Sequence, residues 1–210
     1  MTDATPAPTT TPSPAATTPE TRASTRASTR DRLLDAAAEL FYREGVGVGI
    51  EALCRTAGVS KRSMYQLFAS KDEVVAASLE RAAPAYEAYL LPPAGDGRPP
   101  RARIMHVFER LEEAAAAPDF RGCPLVAAAV EVKSPEHPAS VVARRGKDAL
   151  TAFFQQEAER GGAENPALLA RQLTIVFDGS SARAVVQACG LDGLAVATAS
   201  VLLDAAGLPA

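Results

Sequence analysis

The stretch from Ile50 to Phe68, IEALCRTAGVSKRSMYQLF, constrains the fold of this chain more than any other. Leu53 and Ala57 are four residues apart, which places both side chains on one face of a short helix. Gly58 best tolerates the left-handed backbone that ends a helix sharply, and the Ser60 hydroxyl can cap the next helix. The pattern predicts two short helices joined by a tight turn, the arrangement of a helix-turn-helix.

The second of these helices has two chemically different faces. Met64, Leu67 and Phe68 have the i, i+3, i+4 spacing of an apolar face that packs inward. The opposite face carries cations, hydrogen-bonding groups and an aromatic ring, and this helix contributes no acid to it. An ordinary solvated face mixes both signs of charge, so this face is typical of a helix that contacts DNA. The predicted contact residues are Ser60, Lys61, Arg62, Ser63, Tyr65 and Gln66.

Two further runs, LLDAAAELFYREG and YQLFASKDEVV, flank and extend the motif. Over Leu33 to Leu79 the chain resembles the DNA-binding domain of the tetracycline-repressor (TetR) family of transcription regulators. The linker from Gly45 to Gly49 departs from the family pattern because it is glycine-rich, and Val48 and Gly49 stand where many members carry Thr or Ser. The positions that match the family pattern are Phe41, Gly45, Ala57, Gly58, Val59, Ser60, Tyr65, Phe68 and Lys71.

Lys71 follows a second capping pattern, Ser70 with Glu73, which predicts the start of a fourth helix. A cation in the first turn opposes the helix dipole. A DNA phosphate bound at this N-terminus would account for the lysine, and the family resemblance implies the same role. Lys71 therefore joins the predicted DNA contacts, with a tolerated surface lysine as the alternative.

Residues 1–27 consist mainly of Thr, Pro, Ala and Ser, a composition that predicts a disordered tail. This tail is either a linker or an arm that lays Arg22, Arg26 and Arg30 on DNA phosphates or in the minor groove. The net charge of the chain is −3, yet ten Lys and Arg stand against eight Asp and Glu between Arg22 and Arg81. The basic excess therefore coincides with the predicted DNA-contacting region.

The remaining apolar spacing is helical, and no alternating runs predict strands. We therefore predict an all-α, TetR-like fold, with residues 28–75 as a three-helix DNA-binding domain and residues 76–210 as a helical domain for effector binding and dimerisation. The run FRGCPLVAAAVEV and the segment Phe177–Gly179 resemble the effector domain of one family subgroup. The resemblance implies a pocket between helices 4 and 7 for a small, usually apolar molecule, whose binding weakens DNA binding.

Several aromatic and apolar residues are candidates for lining such a pocket. The tyrosines among them are informative because a buried phenol needs a hydrogen-bond partner, which a ligand can supply. For any single residue a plain hydrophobic core is the alternative. The candidates are Tyr86, Tyr89, Met105, Phe108, Cys123, Val126, Val130, Phe154 and Phe177.

The last two predicted helices carry more apolar surface than a thin domain can cover, so we predict that they pair with a second copy of the chain. A stripe of small residues, Ser180, Ala184 and Ala188, is predicted to let helices approach closely there. Asp178 is expected to be held by Ser181 or the backbone, or to face the pocket or the partner copy.

Cys54, Cys123 and Cys189 are widely spaced, so no metal or other cofactor is predicted, and an odd number of thiols fits a reducing cytoplasm. Cys123 begins a helix, which leaves a thiol-based redox or small-molecule sensor with a vestigial DNA-binding role as the alternative function. No catalytic signature links Cys123 with His106 or His137, so no enzyme is predicted. The longest apolar run is too short to span a bilayer.

Overall fold

The computed structural model describes Met1 and residues 20–208, with side-chain surroundings given for Met1 and residues 29–208. These residues form nine α-helices and no β-strand, which confirms the all-α prediction. None of the described helices combines the length and apolar character that crossing a membrane requires. The helices are α1 (Glu20–Glu44), α2 (Ile50–Ala57), α3 (Lys61–Leu67), α4 (Lys71–Leu90), α5 (Pro100–Ala115), α6 (Pro124–Val132), α7 (Pro138–Arg160), α8 (Pro166–Gln187) and α9 (Leu194–Ala205).

The first helix begins earlier than its capping pattern predicts. It starts at Glu20 and not at Ser28, so residues 20–27, which composition assigned to a disordered tail, are helical. The segment contains Glu, Arg and Ala, which have high helix propensity, and extending an existing helix avoids a new nucleation step. The rest of the predicted tail, residues 2–19, lies outside the described residues, as do the side chains of residues 20–28. Of the three arginines in the predicted DNA-binding arm, Arg22 and Arg26 therefore lie outside the described side chains. The guanidinium of the third, Arg30, lies 5.2 Å from the centre of the Phe68 ring.

The helix-turn-helix forms as its sequence predicts. Gly58 adopts the left-handed conformation, with φ 63° and ψ 36°, at the end of α2. The Ser60 hydroxyl accepts a hydrogen bond of 3.0 Å from the Ser63 amide and so caps α3. Leu53 and Met64 are fully buried, which fixes α2 and α3 against the other helices of this unit.

Two hydrophobic cores organise the described residues. The first lies among α1, α2, α3 and the start of α4, and includes Leu33, Leu53 and Met64. Ala139, in the first turn of α7, is buried in this core, so the start of α7 packs against the helix-turn-helix unit. The second core lies among α5, α7, α8 and α9 and is built around Phe154 and Phe177. The helices around the first core form the N-terminal unit, and those around the second core form the C-terminal unit. Helix α4 contributes to both cores and therefore connects the two units.

Candidate functional site

The outer face of α3 presents the polar groups that the sequence predicts. Lys61, Arg62, Tyr65 and Gln66 are all exposed, and their spacing places them on one side of the helix. Tyr65 retains 52% of its accessible surface, which is high for an aromatic residue. Arg62 and Gln66 are hydrogen-bonding side chains of the kind that read base edges in the major groove.

Although α3 itself contains no acid, Glu51 of the neighbouring α2 lies next to this face. The Lys61 ammonium is paired with the carboxylate of Glu51 from α2. This hydrogen bond raises the pKa of Lys61 and lowers the pKa of Glu51, so both groups stay charged at neutral pH. The Ser60 and Ser63 hydroxyls also contact each other, at 2.8 Å. A phosphate would therefore compete with Glu51 for Lys61, whereas Ser60 is already used to cap α3.

Lys71 is the first residue of α4 and is half-buried. The Ser70 hydroxyl accepts from the Glu73 amide at 3.2 Å, while the Glu73 carboxylate accepts from the Ala69 amide at 2.8 Å. These two bonds fix the turn between α3 and α4, and with it the position of the Lys71 backbone. A lysine held in this way at a helix N-terminus suits a phosphate contact.

A cavity of about 710 Å³ lies between the two units. Its walls come from α1, α4, α6 and α7, and Phe177 of α8 contributes from the second core. Most of the wall is apolar, with the Tyr86 phenol and the Cys123 thiol as inner polar groups. Burial, and secondarily Cys123, raises the pKa of Tyr86, so its hydroxyl stays protonated at neutral pH.

The nine predicted pocket residues divide into two groups. Tyr86, Cys123 and Phe177 line the cavity, while the other six lie elsewhere. Phe108 and Phe154 are fully buried in the second core with ring centres 5.7 Å apart.

The placement of the remaining four explains why they miss the cavity. The Tyr89 hydroxyl donates to the Arg110 carbonyl oxygen at 3.1 Å, and the Arg110 guanidinium lies 4.2 Å from the centre of its ring. Val130 is 66% exposed, and Met105 and Val126 pack half-buried against the second core. Apolar spacing alone cannot separate these cases, because core and cavity-lining residues have the same period.

Both cations on the described cavity wall, Lys147 and Arg145, are paired within the protein. The Lys147 ammonium of α7 is bonded to the carboxylate of Asp178 and lies 4.6 Å from the centre of the Phe177 ring. Arg145 donates to the Glu80 carboxylate at 2.6 Å. Lys147, which was not among the predicted partners, therefore pairs with Asp178. With both cations paired and most of the wall apolar, the cavity favours an apolar occupant that carries no negative charge.

Helix α1 also contributes to the cavity, which was not predicted from the sequence. Phe41 and Tyr42 line it together with Gly45 and Val46 from the end of α1 and the following loop. The apolar face of α1 predicts a core, and Phe41 does belong to the first core. The adjacent Tyr42 is half-buried, and its oxygen accepts from the Arg121 amide at 2.8 Å. The sequence signal for this contribution is Tyr42, a large aromatic residue next to the apolar face of α1.

An uncovered apolar surface runs along α8 and α9. Leu168, Ile175 and Val186 on α8 expose 49%, 70% and 78% of their surface, and Leu194 and Val201 on α9 expose 48% and 66%. Leu168 and Ile175, like Leu194 and Val201, are seven residues apart, and Val186 follows Ile175 by eleven; both spacings are close to a whole number of helical turns, so the side chains of each helix share one stripe.

The small-residue stripe lies differently from the prediction. Ala184 is only 4% exposed and belongs to the second core of its own chain. Ser181, one turn earlier, is also buried, so small residues let α8 approach neighbouring helices within the protomer. Ala188 ends α8 in the left-handed conformation with φ 50°. The exposed apolar surface of α8 therefore consists of larger residues than the predicted stripe of Ser180, Ala184 and Ala188.

Comparison with known proteins agrees with this architecture. Residues 33–78 match the family described as bacterial regulatory proteins, tetR family. A crystal structure of a candidate TetR transcriptional regulator from Streptomyces avermitilis is 61% identical, covers 86% of this chain and 99% of its own, and superposes with a TM-score of 0.84. None of the curated proteins compared with the chain matches it.

Two more distant structures share the fold. The reduced form of NemR from E. coli is 26% identical over 87% of this chain and 97% of its own, with a TM-score of 0.69. SCO4454, a TetR-family regulator from Streptomyces coelicolor, is 22% identical over 86% and 96% of the two chains, with a TM-score of 0.77. Proteins of this family are regulators and not enzymes. With its helix-turn-helix and its 61% identity over nearly the whole of one such regulator, this chain belongs to the TetR family of DNA-binding transcriptional regulators.

Proposed function

We propose that the protein is a cytoplasmic, homodimeric repressor that binds a specific double-stranded operator and is released from it by a small apolar ligand. The observation that carries this proposal is the exposed outer face of α3, where Arg62, Tyr65 and Gln66 stand opposite the buried Met64. A dimer would place two such faces in adjacent major grooves, about one helical turn apart. The exposed apolar stripe of α8 and α9 supports pairing through these helices.

Arg62→Ala is expected to weaken operator binding by roughly 1–3 kcal/mol and to relax the preference at one base pair, because a base-edge contact is lost. Lys71→Ala should instead weaken binding to all sequences, because a phosphate contact is lost. It should also reduce by about one the salt slope, which is the steepness with which the logarithm of the binding constant falls with the logarithm of the salt concentration. Band-shift titrations at several salt concentrations, on DNA selected from a random pool by the wild-type protein, measure both effects.

Arg110→Ala serves as the control for these two variants, since it removes the same charge from α5 in the C-terminal unit. Its salt slope and sequence preference should equal those of the wild type. Wild-type affinity in both Arg62→Ala and Lys71→Ala would contradict the assignment of α3 as the reading helix.

The effector part of the proposal rests on the cavity between α1, α4, α6 and α7. Its volume of about 710 Å³ falls within the range typical of small-molecule sites, roughly 300–1,000 Å³. Apolar walls favour an apolar ligand, and the Tyr86 hydroxyl supplies one polar group that would fix its orientation. A ligand releases DNA only if it binds the non-DNA conformation more tightly, which corresponds to a coupling of about 1–3 kcal/mol.

Ala83→Leu is expected to abolish effector binding while leaving ligand-free operator binding intact, because the larger side chain fills the cavity that Ala83 lines from α4. A thermal-shift screen of apolar and aromatic metabolites would first identify ligands, and each hit would then be tested for operator release. Ala88→Leu is the matched control, since Ala88 is exposed on the same helix away from the cavity. Ligands that stabilise both variants equally would place the effector site elsewhere.

A further inference from the structure

A carboxylate from the C-terminal unit holds the linker that leads into the helix-turn-helix. Glu131, in the last turn of α6, accepts hydrogen bonds from the Val46 amide at 2.8 Å and from the Gly47 amide at 2.7 Å. These amides belong to the loop between α1 and α2, so the contact joins residues 84 and 85 positions apart. We name the Glu131 carboxylate and these two amides the interdomain latch.

The position of Glu131 in α6 is unfavourable for a carboxylate. An acid in the last turn of a helix lies at the negative end of the dipole, which disfavours it. The helix ends directly afterwards, with Lys133 in the left-handed conformation at φ 57°. The two amides of the loop provide the compensation, because they donate charge-assisted hydrogen bonds to the carboxylate.

The glycine-rich linker makes room for this carboxylate. Gly45 has φ 89°, and a Cβ atom there would lie 2.8 Å from an oxygen of Glu131. A Cβ atom at Gly47 would lie 3.2 Å from the other oxygen. Glycine at both positions therefore allows the side chain of α6 to lie directly against the loop backbone.

The loop, which also packs against the first core through Val46 and Val48, gains a further restraint from this contact. Its glycines have wide backbone freedom, and ordering them costs conformational entropy. The residue before α2, Gly49, provides no side-chain cap for that helix. The latch thus supplies an external restraint on the chain directly before α2, and α2 positions α3. Because the latch is exposed to solvent, it can open without unfolding either core.

The latch is also part of the cavity wall, since Gly45, Val46 and Glu131 all line the cavity. We propose that Glu131 is a positioning residue that couples the cavity to the reading helix. With the cavity empty, the latch holds the loop and keeps the helix-turn-helix in its DNA-binding orientation. An occupant that shifts α6 or the Glu131 side chain opens the latch and frees the loop. This inference rests on the proposed function and adds the means by which that cavity controls DNA binding.

The decisive experiment compares Glu131→Ala with Glu80→Ala in the full chain. Glu80 is an exposed acid that lines the same cavity, but its partner is Arg145 of α7 and not the loop. Removing either acid removes one negative charge, which on its own favours binding to DNA. We expect Glu131→Ala nevertheless to weaken ligand-free operator binding at least fivefold, within the usual range of roughly 5- to 150-fold for coupled sites. Glu131→Gln, which keeps one acceptor oxygen, should recover part of the loss.

Hydrogen exchange of the Val46 and Gly47 amides, followed by NMR, gives a second measurement. Exchange should speed up in Glu131→Ala but not in Glu80→Ala. N-phenyl-1-naphthylamine, an uncharged apolar fluorescent probe, should speed it up in the wild type when it occupies the cavity. It should also weaken operator binding less in Glu131→Ala than in the wild type.

Operator affinity in Glu131→Ala equal to that in Glu80→Ala would overturn the coupling, even if amide exchange were faster. Probe binding that leaves exchange at Val46 and Gly47 unchanged would overturn it as well. Failure of the proposed function has a different signature, because the wild-type protein would then select no DNA sequence. If the probe does not bind, the effector cavity is contradicted, and the operator affinity of Glu131→Ala still decides the role of the latch.

Discussion

Glu157→Ala is expected to lower the free energy of unfolding by about 3–5 kcal/mol, the range measured when one partner of a buried ion pair is removed. The Nε atom of Arg103 lies 2.9 Å from Oε1 of Glu157, and only 10% and 5% of these two side chains are exposed. Without the carboxylate, the Arg103 charge would remain buried. Denaturant unfolding followed by circular dichroism measures the difference, with equal m-values required for the comparison.

The size of this effect depends on what else surrounds the Arg103 guanidinium. It also donates to the carbonyl oxygens of Pro93 at 3.2 Å and Asp96 at 3.4 Å, in the loop between α4 and α5. Carbonyl oxygens satisfy N–H groups but do not neutralise the charge, so they offset only part of the loss. The variant should therefore also loosen this loop, which faster amide exchange at residues 93–98 would reveal.

Two comparisons make the result specific to the buried pair. Glu159→Ala removes an exposed acid from the same helix and should change stability by less than about 0.5 kcal/mol. Replacing both partners, Arg103→Met with Glu157→Leu, should cost far less than Glu157→Ala, because no buried charge is left unpaired. Arg160, which also pairs with Glu157, is 56% exposed and remains solvated. A loss below about 1 kcal/mol in Glu157→Ala would mean that water still reaches Arg103 in the folded protein.

The sequence predicts the elements of this fold best where several local signals agree. The spacing of Leu53 and Ala57, the glycine at position 58 and the cap at Ser60 all favour the same turn, and the structure contains it. The start of α1 is harder to predict, because Ser28 and Asp31 form a plausible cap but a longer helix is also favourable there. Helix propensity decides between these two outcomes only weakly.

The cavity is less accessible to sequence reasoning than the DNA-binding face. An exposed face is visible in the sequence because its residues are polar and its period is that of one helix. A cavity is formed by what several helices leave unfilled, so Phe108 and Phe154, which stack in the core, look the same in the sequence as Phe177, which lines the cavity. Contacts between distant segments, such as Lys147 with Asp178, have no local signal at all.

The orientation of α8 illustrates the same limit. Its hydrophobic residues extend around most of the helix, so the sequence alone does not say which stripe faces the protomer core. Ala184 is turned inward, whereas Ile175 is 70% exposed. A substitution at Ala184 would therefore report on folding, and a test of dimerisation has to use the outward residues.

Ile175→Glu is expected to convert the proposed dimer to a folded monomer and to reduce operator affinity by roughly 10²–10⁴-fold, the usual gain from linking two binding units. In an interface with two-fold symmetry, the same patch of both copies meets, so the substitution places two like charges in one contact region. Burying unpaired carboxylates costs several kcal/mol, more than such an interface can offset locally. Because Ile175 is exposed in the protomer, its replacement should leave the second core intact. Sedimentation velocity gives the oligomeric state, and circular dichroism checks the helix content.

Val141→Glu is the matched control, because it places the same charge on an exposed valine of α7, outside the stripe of α8 and α9. This variant should remain dimeric and bind the operator as the wild type does. If Ile175→Glu also sediments as a dimer, the interface lies elsewhere on the surface. If instead it is monomeric but keeps full operator affinity, a single helix-turn-helix supplies all the contacts that matter. The two measurements together therefore separate the role of the α8–α9 surface in assembly from its role in DNA binding.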